Sequence, residues 1–207
     1  MTIGEIKIEA IKLMFVNYEF DFKVGELERM KADENYGSYL VNMDGAIARA
    51  LDRIENACVL PAKVKKIEAS EFKRGKVFDR YDTSQIKNYF QIDRVTAEYD
   101  NGSYDGNIGF EIEGDELLLR HNPAAEYSII YFPKAPSIKG VVDNSTELDL
   151  PENIARLIPY FIKGDLFQEE EPALAADARN LFEASLDDLK RPVASKQEYI
   201  EQVYRMW

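Results

Sequence analysis

Apolar positions recur along this chain with two different periods, and the period changes twice. Over residues 2–16, Ile3, Ile6, Ala10, Leu13 and Met14 fall on one helical stripe. Residues 17–34 keep no sustained period, and Phe15, Tyr18, Phe20 and Phe22 predict a loop tucked against the body. From Asn35 to Cys58, the positions Tyr36, Leu40, Met43, Ile47, Ala50, Ile54 and Ala57 alternate steps of four and three. Such a seam, kept for three heptads, predicts the longest helix of the chain, roughly 35 Å at ~1.5 Å per residue. A coiled-coil dimer could use the same seam. Because other amphipathic helices are at hand, an intramolecular bundle is the expected partner.

After Leu60-Pro61 the period falls to two. Val64, Ile67 and Ala69 begin the shift, Val77-Phe78 follow, and residues 89–99 form a long strand candidate rich in branched and aromatic side chains. Asp100-Asn101-Gly102 supplies turn chemistry. Residues 110–113 and 116–119 flank Gly114-Asp115, a two-residue hairpin loop with glycine first. Residues 126–132 are the last strong strand, closed by Pro133 and Pro136. Five or six strands with short turns predict an antiparallel sandwich or small barrel.

Helical periodicity returns in two segments, 151–168 and 172–189, separated by Glu169, Glu170 and Glu171. The first carries Leu157, Tyr160, Phe161, Leu166 and Phe167, with a kink expected at Pro159. In the second, Leu174, Ala178, Leu181, Phe182, Ser185 and Leu189 predict the inward face, and Pro172 suits a first helical position. A linker this short makes the two an antiparallel hairpin. The predicted fold is therefore α+β: an antiparallel helical bundle, 1–60 and 147–190, with an inserted antiparallel β domain at 61–146. Residues 191–207 follow as a short C-terminal tail. There Ser195 to Glu198 has capping-box spacing ahead of Tyr199, Val203, Tyr204 and Trp207. A helix so short needs a surface to dock on, its own domain or another protein.

Charge sharpens this picture. The net charge is −12, and by segment it is −4 for 1–60, −2 for 61–144, −7 for 145–190 and +1 for 191–207. The acidic hairpin would repel nucleic acid rather than hold it. The one basic concentration, Lys63 to Arg80, holds seven Lys/Arg and three acids, without the aromatic interleaving of a single-strand groove. No run approaches the ~18 to 20 apolar residues of a membrane span. The first residues carry Glu5 and Glu9 within an amphipathic repeat, so no secretory signal is expected there.

Candidate chemistry is sparse. The sole histidine, His121, follows a strand and reads as a surface residue, not a catalytic base. Lone Cys58 excludes an internal disulfide, reads as a packed thiol, and with His121 is too little for an ordinary zinc set. Glu169 to Glu171 could hold a divalent ion only weakly. Residues 100–106 resemble a calcium loop in composition alone, lacking the terminal glutamate and flanking helices. Gly102, Gly106 and Gly109 are spaced wrongly for a dinucleotide fingerprint. No enzyme activity, metal or cofactor is expected. A module binding a peptide or carbohydrate through the inserted sandwich is the rival reading, with Tyr99, Tyr104, Tyr127 and Tyr131 as stacking platforms for a sugar or as sheet core.

The order of elements resembles the head–tail connector or adaptor proteins of tailed bacteriophages, including the podovirus tail-tubular type. Three stretches carry the resemblance across roughly 1–190: NYGSYLVNMDGAIARALDRIENAC, IEGDELLLRHNPAAEYSIIYFPKAP, and DNSTELDLPENIARLIPYFIKGDLFQEEEPALAADARNLFEASLDDL. The resemblance implies a non-enzymatic virion protein of the neck, made in the bacterial cytoplasm. About a dozen copies would form a ring below the portal, extending the DNA channel to the tail. Its partners would be portal and tail proteins, with DNA passing through unbound. On that expectation Glu169, Glu170 and Glu171 face the channel, and Tyr199, Val203, Tyr204 and Trp207 dock on a partner.

Overall fold

A computed structural model describes residues 1–15, 22–122, 124, 126–138 and 143–190. The expected docking residues Tyr199, Val203, Tyr204 and Trp207 lie outside these. The fold is α+β, with helices packing together and two four-stranded antiparallel sheets forming a sandwich-like insert. The chain divides into two compact units, Met1–Val59 with the chain from Ala135 onward, and Leu60–Lys134.

In the helical unit, α1 spans Ile3–Met14, α2 Leu27–Met30 and α3 Gly37–Asn56. Thr2 caps α1 through a capping box: its hydroxyl accepts from the Glu5 N–H and its own N–H donates to the Glu5 carboxylate. The sequence suggests one stripe on α1, yet Ile8, Ile11 and Lys7 are buried along with Ile3, Ile6, Ala10 and Met14. This is a central helix, enclosed on most sides. The seam of α3 is buried as its spacing dictates, from Leu40 through Met43, Ile47 and Ala50 to Ile54. After Ala57, Cys58 turns the chain with φ of 53° and is half-buried.

The return to the helical unit comes at Ala135, whose N–H donates to the Glu55 carboxylate. Residues 144–148 then bond to the start of the chain: Ile3 N–H to Thr146 O, Gly4 N–H to Asn144 O, and Leu148 N–H to Met1 O. Glycine is required at position 4, where a Cβ would meet Val24 Cγ1 at 2.4 Å and Asn144 O at 2.9 Å. The segment 151–168 is not one kinked helix. It is α4, Glu152–Ala155, and α5, Ile158–Leu166, with the break falling just before Pro159. Proline thereby sits in the first turn of α5, where its missing N–H leaves no bond unmade. α6, Pro172–Lys190, completes the hairpin. The partners of α5 are α1, α3 and α6, so the halves of the chain flanking the insert close on one another.

The face of α6 differs from expectation. Its buried residues are Ala175, Ala178, Phe182 and Leu186. Leu174 and Leu181 point outward, 44% and 56% exposed, while Ser185 and Leu189 are half-buried. The reason is the close approach of α5: a Cβ on Gly164 would lie 3.2 Å from Ala175 O, so small residues must occupy the contact.

In the other unit, one sheet runs β1 (Lys63–Glu68), β8 (Glu126–Pro133), β4 (Tyr89–Glu98), β5 (Tyr104–Ile108). The second runs β2 (Lys73–Arg74), β3 (Phe78–Asp82), β7 (Glu116–Arg120), β6 (Phe110–Glu113). Ile67, Phe72, Tyr81, Val95, Leu117, Leu119, Tyr127 and Ile129 form the core between them. The β6–β7 hairpin turns at Gly114, φ 61°, as the glycine-first loop predicts. Eight strands replace the expected five or six. β2 and β5 were hidden because a two-residue strand and the polar YDGNI show no alternation.

Candidate functional site

The acidic elbow between α5 and α6 is built by a helix end and a helix start. Phe167 O accepts from the Glu171 N–H at 2.9 Å, and Glu171 O accepts from Ala175 N–H, opening α6. Glu169, Glu170 and Glu171 are all exposed. Glu170 is not a free acid, however, because its carboxylate accepts from the Tyr39 hydroxyl of α3. Burial and that carboxylate push the Tyr39 phenol up to about 12, so it stays a donor well into the alkaline range. Beneath the elbow, Phe15, Tyr39 and Phe167 pack edge to face or tilted with centroids 5.3 to 5.7 Å apart. Further along, Asp165 pairs with Arg49, and Glu183 takes a two-pronged Arg53. The hairpin's acids thus divide: some brace α3, while Glu169 and Glu171 make no ion pair among the described residues.

A second acidic feature is a groove of about 890 Å³ beside α1, lined by Leu13, Leu157 and Tyr160 and rimmed by Glu5, Glu9, Glu147 and Glu152. Arg156 is the one cation on this rim, and it pairs with Glu152. No nucleophile stands there beside a base.

In the β unit, His121 is more engaged than a surface histidine need be. Nδ1 lies 2.9 Å from the buried Asp79 carboxylate, and Nε2 lies 2.9 Å from Gly75 O. Gly75 O only accepts, so Nε2 donates to it, and the Asp79 carboxylate beside Nδ1 favours a proton there as well. The Asp79 hydrogen bond is the main reason its pKa is raised. A general base needs a free lone pair, and here neither nitrogen offers one. The ring is a clamp across the β2–β3 hairpin. Because its folded pKa exceeds the unfolded value of about 6.5, its stabilisation is complete below that value and lost as pH rises through the raised one. Thermal unfolding of wild type and His121→Phe should therefore converge as pH climbs from 5.5 to 9 (roughly the span of a raised histidine). Parallel curves would show that the clamp carries no charge.

No family model matches this chain, and no curated protein matches it either. The rival ligand-binding reading weakens on geometry. Tyr127 and Tyr131 are buried in the sheet core, and Tyr99 is half-buried with its hydroxyl accepting from Asn122. Only Tyr104 is open to a ligand. The adjacent cleft of about 450 Å³, between Phe78, Phe110, Arg120 and His121, is polar and open. The loop of calcium-like composition turns its acceptors on itself. Asn101 Oδ1 takes Ser103 N–H and O–H, and Asp105 Oδ1 takes Asn107 N–H. Among the described residues, no three of His, Cys, Asp and Glu are placed to hold a metal ion. No described helix is long and apolar enough to cross a membrane.

Sequence reasoning missed the outer strands β2 and β5 and therefore missed the surfaces they make. The signal was present in the charges: lysines and arginine gather in 63–76, acids in 105–116. What could not be read was that these stretches form opposite edges.

Proposed function

We propose that this chain is a head–tail adaptor of a tailed bacteriophage or prophage, a structural protein that forms a ring below the portal. The single observation that supports it is the closure of one helical unit from both sides of a β insertion. The chain's first residues bond to 144–148, and α5 packs on α1 and α3 from before the insert and on α6 after it. A helical unit closed in this way is suited to serve as the base of a stacked ring subunit. A ring about a dozen copies around would pass DNA without gripping it. Glu169 and Glu171 on the elbow, exposed and without an ion pair among the described residues, are suited to a channel wall, leaving the duplex on water and counterions.

The test is attachment. Co-expressed with a portal protein of a tailed phage, the full chain should co-purify as a ring visible by electron microscopy. Deleting 195–207 should leave a protein with unchanged circular dichroism and melting that no longer attaches, because Tyr199, Tyr204 and Trp207, with Val203, are the aromatic and apolar anchors a docking tail would use. A truncated chain that still joins the portal would refute the tail's part. A full chain that never joins would refute the adaptor. Glu169 and Glu171 mapping to the outer rim of the ring would refute their place in the channel.

A further inference from the structure

We infer that the β unit carries two complementary flanks and that what they bind is a second copy of this chain, joined head to tail. The inference deepens the adaptor reading and leans on it only for closure into a ring.

Topology places the flanks. β1 and β2 are outer strands of their sheets and are joined by residues 69–72; β5 and β6 are the other outer strands and are joined by Gly109 alone. With strands about 4.8 Å apart and sheets about 10 Å apart, neither link can reach across a four-stranded sandwich. β1 and β2 therefore share one flank, and β5 and β6 share the opposite one.

Charge distinguishes them. The first flank carries Lys63, Lys65, Lys66, Lys73 and Arg74 against the single strand acid Glu68, and so stays basic. The second carries Asp105, Glu111 and Glu113. Among the described residues, Lys63, Lys65, Lys73 and Arg74 have no carboxylate within 4 Å, and Glu111 has no cation. Each flank also exposes large apolar side chains, Val64 on the basic side, Tyr104 and Ile112 on the acidic side. Lysines on an open edge would by themselves only keep copies apart. An acidic edge opposite, with apolar residues on both, makes a matched pair instead.

Symmetry selects the mode. A two-fold contact would set like charge against like, whereas a head-to-tail contact sets unlike against unlike. Strand direction agrees. Every neighbouring pair in both sheets is antiparallel and each sheet has four strands, so its two outer strands run in opposite directions. A neighbour in the same orientation brings its β1 antiparallel beside β5 and its β2 antiparallel beside β6. Both sheets continue at once. Repetition of such a contact closes into a ring or runs on as a filament.

The experiment uses the full chain and two reversed variants. One carries Lys63→Glu, Lys65→Glu and Lys73→Glu; the other carries Glu111→Lys and Glu113→Lys. Lys63, Lys73, Glu111 and Glu113 are exposed and Lys65 is half-buried, and unchanged melting of each variant is the control for folding. Wild type should associate with rising concentration in sedimentation, and less so at high salt. Each variant alone should associate at least about tenfold more weakly, and an equimolar mixture should recover, since one now presents two acidic flanks and the other two basic ones. Carbodiimide, which joins lysine to carboxylate directly, should link residues 63–73 of one copy to Glu111 or Glu113 of another. A mixture no tighter than its components, a wild type monomeric throughout, or cross-links lying elsewhere would overturn the inference. Pairing without portal attachment would sink the adaptor and keep the flanks; attachment without pairing would do the reverse.

Discussion

Replacing Lys7 by methionine is expected to cost the helical unit about 3 to 5 kcal/mol. Lys7 lies in the middle of α1 and is 1% exposed, yet it carries a full charge on a helix otherwise lined with isoleucine. Its Nζ sits 2.7 Å from Asp44 Oδ1 on α3 and donates to Asn144 Oδ1 at 2.8 Å. Asn144 in turn donates to the Glu28 carboxylate of α2 at 3.1 Å, and Glu28 pairs with Lys31. One ammonium thus ties α1, α2, α3 and the returning chain. Methionine matches the lysine stem in volume, so the loss would fall on the partners: an unpaired carboxylate and an amide oxygen with no donor. Asp44 is about a quarter exposed, and water reaching it would hold the cost toward the lower end. Lys7→Met with Asp44→Leu should recover most of the loss, because removing both charges restores an apolar contact. Urea unfolding of the single and double variants measures this. An unchanged midpoint for Lys7→Met alone would mean that the network holds nothing together.

How far such features can be read from sequence depends on their range. The α3 seam was legible because its spacing alone places Leu40 to Ile54 inward. The β6–β7 turn was legible because glycine at 114 requires little beyond its own torsion. Lys7 was not, since a lysine between isoleucines reads as the polar face until Asn144 and Asp44 are brought to it. The His121 clamp needs Gly75 and Asp79, more than forty residues earlier. Two of the four outer strands, β2 and β5, escaped for another reason. An edge is solvated on two sides, so its pattern is polar throughout, and β5 reads as a loop. The candidate surfaces are made of those edges. Each flank therefore pairs one strand that periodicity shows, β1 or β6, with one that it hides, β2 or β5.

The stripe of α6 separates reading from packing most clearly, and it carries the other large effect. Phe182→Ala is expected to destabilise the helical unit by about 3 to 5 kcal/mol, whereas Leu181→Ala, one residue away, should cost under about 0.5 kcal/mol. Both fell on the face that spacing predicts to be inward. In the fold Phe182 is fully buried and meets the Phe161 ring of α5 edge to face, centroids 5.1 Å apart, while Leu181 is mostly in water. Truncation at 182 loses the transfer of the ring and leaves a cavity. The hairpin cannot collapse to fill it, because α5 and α6 already touch at Gly164, Ala175 and Arg179. Relaxation is blocked, and the cost belongs near the upper end. The effect should not stay local, since α5 is also the contact of α1 and α3. Urea denaturation should show one lowered transition for the whole helical unit in Phe182→Ala and a wild-type curve in Leu181→Ala. Equal losses at the two positions would mean that α6 is turned by most of a helical step from the orientation in which the small residues make the contact.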